Sequence, residues 1–312
     1  MKFEDVENTR IQYKNKLVRC SLILLAIFAA IITVLIVITI SNGGLSSERM
    51  ILPLIFMPMF VSLVASIVIV TLVTKKDAVA YKKAYKTYFV EQNLARIFTD
   101  LKYKHDAGLS RETLKNTQMI NTGDRYSSND LTMGRYKDVG FTQADVHIEE
   151  EHTDSDGDTT YVTIFRGRFM IFEFPKKFNF RLEVISRFFG AARVPGKDSQ
   201  TGRKFEKFEV ESVDFNKKFK IYAEDGFEAF YLLDPAFISR IEKLGAMYDK
   251  KMILCFIENR LYVGINEGKD AFEPPRPFKQ IDAEVELAKI QSDIKVITNF
   301  IDELKLDKKI FV

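Results

Sequence analysis

The chain has 312 residues, with 46 Lys and Arg against 43 Asp and Glu and only two cysteines. A net charge of +3 provides no overall basic field that would favour nucleic acid, and two cysteines exclude a disulfide-stapled secreted scaffold. The length is ample for a sizeable hydrophobic core.

Two apolar blocks near the start of the chain predict two membrane-spanning helices. Residues 20–41 and 50–73 contain no charged side chain, and about 20 apolar residues are enough to cross the hydrocarbon core of a bilayer. Pro53 and Pro58 are better tolerated in a membrane helix than in a soluble one. The first block is too long for a cleaved signal peptide, and no small-residue cleavage site follows it before the second block.

The distribution of basic residues predicts that both ends of the chain are cytoplasmic. The connection 42–49 has one Arg, whereas the N-terminal arm 1–19 and the segment after the second block each carry five basic residues. Cytoplasmic flanks of membrane helices are enriched in Lys and Arg. The prediction is therefore a multi-pass membrane protein with a short extracytoplasmic loop at 42–49. The basic residues of the arm are Lys2, Arg10, Lys14, Lys16 and Arg19.

The lysines after the second block form the candidate contact site, with anionic lipid headgroups as the ligand. Each lysine near such a surface contributes about 1 kcal/mol. The plainer interpretation is the basic flank that most membrane helices have, and the two are compatible. Cys20, at the cytoplasmic edge of the first block, is either a palmitoylation site or a small residue that begins a helix. The five lysines are Lys75, Lys76, Lys82, Lys83 and Lys86.

The segment 74–134 predicts a juxtamembrane helix over 75–106, from aromatic and aliphatic residues at helical spacing, and a polar linker over 107–134. Residues 135–280 predict a cytoplasmic α+β domain. Its first part alternates short turns with aromatic and β-branched runs, which is typical of an antiparallel meander. These runs are DVHIEEEH, TTYVTIF, RGRFMIFEF and FNFRLEVIS, followed by FEKFEVES and KKFKIYAE.

A helix and a hairpin complete the predicted domain. Asp234 as N-cap and Pro235 at the first helical position begin the helix PAFISRIEKLGAMY. The hairpin MILCFIE–LYVGIN turns at Asn259 and Arg260, and Cys255 within it predicts buried packing. The fold class is α+β: a two-helix transmembrane hairpin, then a cytoplasmic domain of antiparallel β-meander with segregated helices.

The last segment, 281–312, is predicted to be a heptad-patterned helix. Its apolar residues recur at alternating steps of four and three, which is the pattern of a coiled-coil seam. The seam either packs within the chain or, over 281–304, binds a protein partner or a second copy of the chain. Its positions are Ala283, Leu287, Ile290, Ile294, Ile297, Ile301 and Leu304.

No residue pattern predicts a catalytic, cofactor-binding or metal site. In the acidic turn that begins at Asp154, Gly157 falls at position 4 and Phe165 at position 12, where an EF-hand loop needs Gly at position 6 and Glu at position 12. His147 and His152 are five residues apart and face opposite sides of one strand. Nucleotide-binding, RNA-binding and hydrolase motifs also fail to match. We therefore expect a non-enzymatic protein with no cofactor and no nucleic-acid partner.

Several stretches resemble the bacterial membrane protein family known as domain-of-unknown-function family 3137. Together they cover about residues 136–275, in the order and spacing of that family. The resemblance implies a bacterial inner-membrane protein with a cytoplasmic domain and no assigned activity, and it supplies no catalytic residues. The stretches are Gly140-Phe141, HTDSDGDTTYVTIFRGRF, FEVESVDFNKKFKIYAEDGFEAFYLLDPAFISRIEKL and ILCFIENRLYVGINEGKDAFEPP.

Three functions stay open on the sequence. The first hypothesis is a membrane-anchored cytoplasmic interaction or scaffold module, because a large anchored domain carries no catalytic constellation. The second is a membrane-proximal lipid- or small-ligand-binding domain, because lysines follow the second apolar block. The third is an enzyme that acts on a membrane-proximal substrate, for which a concave pocket lined by titratable groups would be the signature.

Overall fold

The computed structural model describes residues 1–41, 48–174, 177–193, 196, 202, 204–249 and 251–307. The side chains of residues 35, 39, 40 and 48–59 lie outside that description. The chain divides into two compact units, each described below by itself. The first is Met1–Tyr88 with Pro274–Glu286, and the second is Phe89–Glu273 with Leu287–Val312.

The first unit is built on two long helices, α1 (Phe3–Ser41) and α2 (Glu48–Tyr85). They run antiparallel side by side, as two contacts between them show. The Nζ atom of Lys16 donates to Oδ2 of Asp77 at 2.6 Å. The rings of Tyr13 and Tyr81 lie 6.4 Å apart, centroid to centroid. The predicted arm 1–19 is thus helical from Phe3 onward and continuous with α1.

Among the residues that the structure describes, one of these helices meets the length and composition of a membrane span. The stretch Phe3–Ile38 of α1 is long and apolar enough to cross a membrane, and most of its described large apolar side chains from Leu22 onward are exposed. The second predicted span, 50–73, lies in α2, where the first ten side chains of the span are outside the described part of the chain. Most of the predicted loop 42–49 also lies outside the described residues. The membrane hairpin therefore stays a prediction.

The chain returns to the first unit after its second one, as a proline-rich strap. The hydroxyl of Tyr81 donates to the carbonyl oxygen of Pro275 at 3.0 Å, and the Arg10 guanidinium donates to the carbonyl oxygen of Pro277. The hydroxyl of Tyr85 donates to Oε2 of Glu286 at 2.5 Å. The strap is thereby held by both long helices.

The second unit contains a nine-stranded antiparallel sheet, which confirms the mixed α and β class. Its strands β3 and β4 lie within the predicted meander, but β9 and β8 lie between β4 and β5. The order across the sheet is β1-β2-β3-β4-β9-β8-β5-β7-β6. The strands are β1 (Thr99–Lys104), β2 (Arg125–Tyr136), β3 (Val139–Thr153), β4 (Thr159–Glu173), β5 (Leu182–Ser186), β6 (Glu206–Phe208), β7 (Phe219–Ala223), β8 (Met252–Ile257) and β9 (Arg260–Ile265).

The first part of this sheet departs from the sequence prediction. The juxtamembrane helix passes through a π-helical turn, Lys86–Glu91, and the short helix α3, Gln92–Ile97, and β1 follows. The predicted linker 107–134 instead contains α4, Arg111–Thr117, and most of β2. The polar composition of β2 is typical of a linker, but in the folded chain Ser128 donates from Oγ to the Asp145 carbonyl oxygen of the neighbouring strand β3 at 2.7 Å.

Two predicted strands, TTYVTIF and RGRFMIFEF, are a single strand, β4. Gly167 lies at the predicted break, but it continues the strand. A Cβ atom built there would meet the carbonyl oxygen of Ile265 at 2.0 Å. Glycine is needed for the close approach of β4 to the end of β9 and marks no turn.

Both faces of the sheet are covered in the second unit. One face packs against α7 (Pro235–Met247) and the Leu287–Leu304 part of α8 (Ala283–Leu304), as shown by the Phe237–Phe256 and Phe172–Phe300 ring contacts. The other face packs against α4 and the segment that follows β5. Asp234 caps α7 and Pro235 begins it, as predicted. The β8–β9 turn consists of Glu258 and Asn259, one residue earlier than predicted.

The heptad seam of α8 faces the interior of its own unit. Its five positions from Ile290 to Leu304 are fully buried, and the Phe300 ring, beside the seam, stacks on Tyr248 at 5.4 Å. Of the two predicted alternatives for the seam, the structure therefore has packing within the chain. A partner or second copy bound through 281–304 would need the other side of the helix, and the partner itself stays a prediction.

Candidate functional site

A cleft of about 620 Å³ opens between three segments of the second unit. These are the connection from β6 to α5 (Val213–Lys218), the helix α6 (Gly226–Leu232) and the first half of α7. Its volume lies within the range of ligand and peptide-anchor pockets. The lining consists of Glu209, Val210, Glu211, Ser212, Phe230, Tyr231, Leu233, Asp234, Pro235, Ile238, Ser239 and Glu242.

Local hydrogen bonds hold the walls of this cleft in place. The amide of Asn216 clamps the β6–α5 connection, because its Oδ1 accepts from the Val210 N–H at 3.2 Å and its Nδ2 donates to the Val210 carbonyl at 2.7 Å. Asp225 and Asp234 cap α6 and α7, and each accepts from backbone N–H groups in the first turn of its helix. Capping of this kind stabilises a helix start by about 1 kcal/mol.

Three aromatic side chains of α6 stand exposed at the mouth of the cleft. Phe227, Phe230 and Tyr231 are 68%, 58% and 66% exposed. Their rings contact one another, with centroids 4.9 Å apart for Phe227–Tyr231 and 6.1 Å for Phe230–Tyr231. A contiguous exposed aromatic surface, unlike a scattered apolar residue, marks an interaction site. We call these three residues the aromatic mouth.

The charged groups in the cleft lining are all acidic. The carboxyl groups of Glu209, Glu211, Asp234 and Glu242 line the cleft, and none of the described lining residues is Lys or Arg. Lys207 pairs with Glu209 at 2.5 Å from outside the lining, and its ammonium lowers the pKa of that carboxyl. Lys218 pairs in the same way with Glu242 at 2.7 Å. The apolar floor is formed by Val210, Leu233 and Ile238.

A second polar group lies buried under α8. Asp145 of β3 is opposite Arg168 of β4, and Nη2 of Arg168 donates to Oδ1 of Asp293 on α8 at 2.5 Å. Asp145 Oδ1, Arg168 Nε and both amide atoms of Gln143 are buried with no hydrogen-bond partner among the described residues. Burial raises the pKa of Asp145 well above its usual range, and the positive charge of Arg168 opposes this. The cluster lies inside the protein and is not open to solvent.

The opposite face of the sheet buries Cys255, as predicted. Its Sγ atom lies 3.8 Å from Oε1 of Glu183, which also accepts from the Arg181 guanidinium at 2.6 Å. Burial raises the pKa of the Cys255 thiol well above its usual range, with Arg181 acting in the opposite direction. A fully buried thiol of raised pKa is an inert packing residue.

The lysines predicted to contact lipid differ in exposure. Lys75, Lys76 and Lys83 are exposed on α2, and Lys82 is half-buried. Lys86 is fully buried at the start of the π-helical turn, so its ammonium is not open to a headgroup, and the prediction is corrected for this residue.

The acidic turn between β3 and β4 has the geometry of a plain hairpin turn. Oδ1 of Asp154 accepts from the N–H groups of Asp156 and Asp158 at 3.0 and 2.9 Å, and Gly157 adopts a φ of +87°. Within the part of the chain that the structure describes, no three His, Cys, Asp or Glu residues converge to hold a metal ion. His147 instead shares a hydrogen bond with Thr163 at 3.1 Å.

A family model matches most of the second unit and also the strap Pro274–Glu286 of the first. Residues 163–306 match the model of the family described as "Protein of unknown function (DUF3137)". The predicted resemblance is confirmed. The DUF3137 match runs from within β4 to the end of α8 and includes every residue that lines the cleft.

Other comparisons add little to this match. No curated protein matches the chain in sequence. Among solved structures, the crystal structure of the mycobacterial trehalose monomycolate transport factor A, TtfA, matches with a TM-score of 0.38 and 7% sequence identity, over 72% of this chain and 94% of that chain. A likeness at that TM-score carries no argument about fold or function.

The sequence prediction missed the aromatic mouth because it did not identify α6. The signal was present in the DGFEAFYLL stretch: Asp225 is a good N-cap, and Phe227, Phe230 and Tyr231 have helical spacing. Their exposure is not visible in the sequence, since an aromatic face of a short helix is more often buried.

Proposed function

We propose that this chain is a membrane-anchored interaction module whose DUF3137 segment docks a protein partner at the cleft. The observation that carries the proposal is the exposed aromatic mouth above an apolar floor. Aromatic side chains are enriched among the residues that contribute most to binding. A monomeric surface with no partner has no reason to keep three contacting aromatic rings in water.

The anchor is the helical hairpin of the first unit. Lys16 and Asp77, and likewise Tyr13 and Tyr81, are paired across α1 and α2 at nearly equal sequence distances from the connection 42–47. The second helix therefore retraces the first, and an α1 that crosses a bilayer brings α2 across with it. The exposed apolar residues of α2 from Phe60 to Val73 support this, because exposure to water costs about 25 cal/mol per Å² of apolar surface.

Docking rather than catalysis is favoured by where the buried carboxyl and thiol groups of raised pKa lie. Asp145 and Cys255, whose pKa values burial raises well above the usual range, are inside the layers on the two sides of the sheet. Neither lines the cleft. An active site usually brings such groups to a concave surface that substrate can reach.

Site-specific photo-crosslinking in native membranes tests the proposal. We expect p-benzoylphenylalanine at position 231 to give a discrete protein adduct, and Phe230→Ser in the same chain to abolish it. The same photo-reactive residue at Phe278, an exposed aromatic in the first unit, is the matched control and should give no such adduct. Adducts at position 231 with lipid alone, or none at all, would contradict the proposal.

A membrane-surface role is the second candidate, and the exposed Lys75, Lys76 and Lys83 favour it. Each exposed lysine near an anionic headgroup contributes about 1 kcal/mol. We expect that changing all three to Gln lowers the amount of anionic lipid that copurifies with the protein in mild detergent, measured by lipid mass spectrometry. Changing exposed Lys217, Lys220 and Lys243 to Gln is the control. Equal anionic lipid in both variants would exclude this role.

A further inference from the structure

We infer that the occupant of the cleft is a partner segment that combines an apolar anchor side chain with Lys or Arg residues beside it. The inference rests on the proposed function and specifies the chemistry of the partner. It follows from three features of the cleft: the apolar floor, the acidic lining and the aromatic mouth.

The floor selects an apolar anchor. Leu233 and Ile238 are buried at the base of the cleft and Val210 is half-buried beside them. The neighbouring side chain, Phe237, packs on the sheet beneath α7. The space between α7 and the sheet is therefore occupied by this chain itself. A side chain of leucine or phenylalanine size from a partner would cover these residues and release the water above them.

The lining selects positive charge. Glu211 is exposed and makes no ion pair with any described residue. Glu209 pairs with Lys207, and Glu242 pairs with Lys218. The lining therefore presents more negative than positive charge to an occupant. An acidic peptide or an anionic membrane surface would bring like charges together, which disfavours that partner, whereas Lys or Arg side chains complement the lining and speed association.

The aromatic mouth accepts the same chemistry. Phe230 and Tyr231 both line the cleft and are largely exposed, so their ring faces are open to a cation as well as to an apolar side chain. An ammonium or guanidinium over an aromatic face is attracted by the ring quadrupole. Because the caps of α6 and α7 and the Asn216 clamp hold the walls, little ordering is needed when the segment binds.

Binding of synthetic peptides to the full-length protein in nanodiscs of neutral phosphatidylcholine tests the inference. The probe is a short fluorescein-labelled helical peptide with leucines on one face and lysines and arginines on the other. A second peptide replaces the basic residues by glutamate, and a third replaces the leucines by serine. Fluorescence anisotropy gives the dissociation constants, and empty nanodiscs provide the lipid background.

We expect the basic apolar peptide to bind, and the other two peptides to bind at least about tenfold more weakly. Phe230→Ser with Tyr231→Ser should weaken binding by about tenfold or more, and so should Glu209→Gln with Glu211→Gln. Asp156→Asn with Asp158→Asn removes two charges from the β3–β4 turn and should leave binding unchanged. Far-UV circular dichroism and melting curves identify any variant that fails to fold.

The outcomes separate the inference from the proposed function. If the acidic and basic apolar peptides bind equally well, and both depend on Phe230 and Tyr231, the charge inference is overturned while the docking function stands. If no peptide depends on the aromatic mouth and the position-231 adduct is also missing, both are overturned. If the aromatic double variant leaves peptide binding unchanged and lowers the amount of anionic lipid that copurifies with the protein in mild detergent, the surface contacts the membrane and the inference is wrong.

Discussion

The protonation state of the buried Asp145 carboxyl depends on its neighbours in the second unit. Asp145 receives one hydrogen bond, from the Ala271 N–H at 2.7 Å, and its nearest positive group, Arg168, is engaged with Asp293. A carboxylate that is buried and only partly compensated is held more readily in its protonated form. At neutral pH Asp145 therefore lowers the free energy of unfolding, unlike a surface carboxylate in an ion pair.

Asp145→Asn tests this directly. The folded-state pKa of Asp145 is raised above the unfolded value of about 3.9, so the folded protein binds the proton more tightly than the unfolded chain does. Its cost is absent below about pH 4 and grows as pH rises through the folded pKa. We expect the melting temperature of the Asn variant relative to the parent to rise from pH 4 to pH 8. A difference independent of pH would mean that the pKa is not raised.

Gly167→Ala is predicted to be strongly destabilising, because the new Cβ would meet the Ile265 carbonyl oxygen at 2.0 Å and the backbone of two strands must separate. Overpacking against backbone costs about 3 kcal/mol. Gly190→Ala is the matched control, since a Cβ there meets nothing within 4 Å, and it should change stability by about 0.5 kcal/mol at most. Thermal unfolding of the detergent-solubilised chain, followed by circular dichroism, measures both. Equal melting temperatures would contradict the close approach of β4 and β9.

Among the secondary-structure elements, α8 depends on the sheet below it. Its Leu287–Leu304 part is joined to β4 by Arg168, whose buried guanidinium donates to Oδ1 of Asp293, and to α7 by the ion pair of Lys243 with Glu303 at 2.6 Å. The second pair is exposed and contributes little. The first is buried, so loss of one partner leaves an uncompensated charge in the interior.

Arg168→Met is expected to lower the free energy of unfolding by about 3–5 kcal/mol, because Asp293 and Asp145 lose their positive neighbour. The double variant Arg168→Met with Asp293→Asn should recover part of that loss, since no buried charge is left on α8. Melting curves of the three proteins at one pH give the comparison. A double variant that is the sum of two independent losses would contradict the pairing.

The α8 seam gives a second prediction at the same scale. Ile297→Ala removes a fully buried side chain and should cost about 2–5 kcal/mol at any protein concentration, whereas Val285→Ala, at an exposed position of the same helix, should be nearly neutral. If Ile297→Ala instead dissociates an oligomer without lowering the melting temperature, the seam serves self-association.

The whole molecule combines an apolar helical hairpin with a domain that carries the cleft. The positive flanks predict that the connection 42–49 is extracytoplasmic and the domain cytoplasmic. In a Cys20→Ser background we expect Leu45→Cys to react with a membrane-impermeant maleimide in intact cells, and Asp156→Cys to react only after permeabilisation. Cys255 is fully buried and stays silent. The reverse pattern of labelling would invert the topology.

The sequence predicts a secondary-structure element correctly where the features that specify it lie close together in the chain. Asp234 and Pro235 specify the start of α7 through capping and a fixed backbone angle, and the structure has the helix there. The run MILCFI predicts a buried strand because all six of its side chains are apolar. By contrast β2 was taken for a linker, since its polar side chains show no apolar alternation and only its pairing with β1 and β3 identifies it as a strand.

The sequence by itself determined the apolar first helix, the antiparallel strands, the capped helix α7 and the DUF3137 resemblance, because each depends on periodicity or on contacts between neighbours in the chain. Only the tertiary structure decided that β8 and β9 lie between β4 and β5, that the α8 seam is buried, and that Glu209, Tyr231 and Glu242 line one cleft. These features join residues distant in sequence, and hydrophobic burial, which is non-directional, does not specify such pairings until the whole chain is packed.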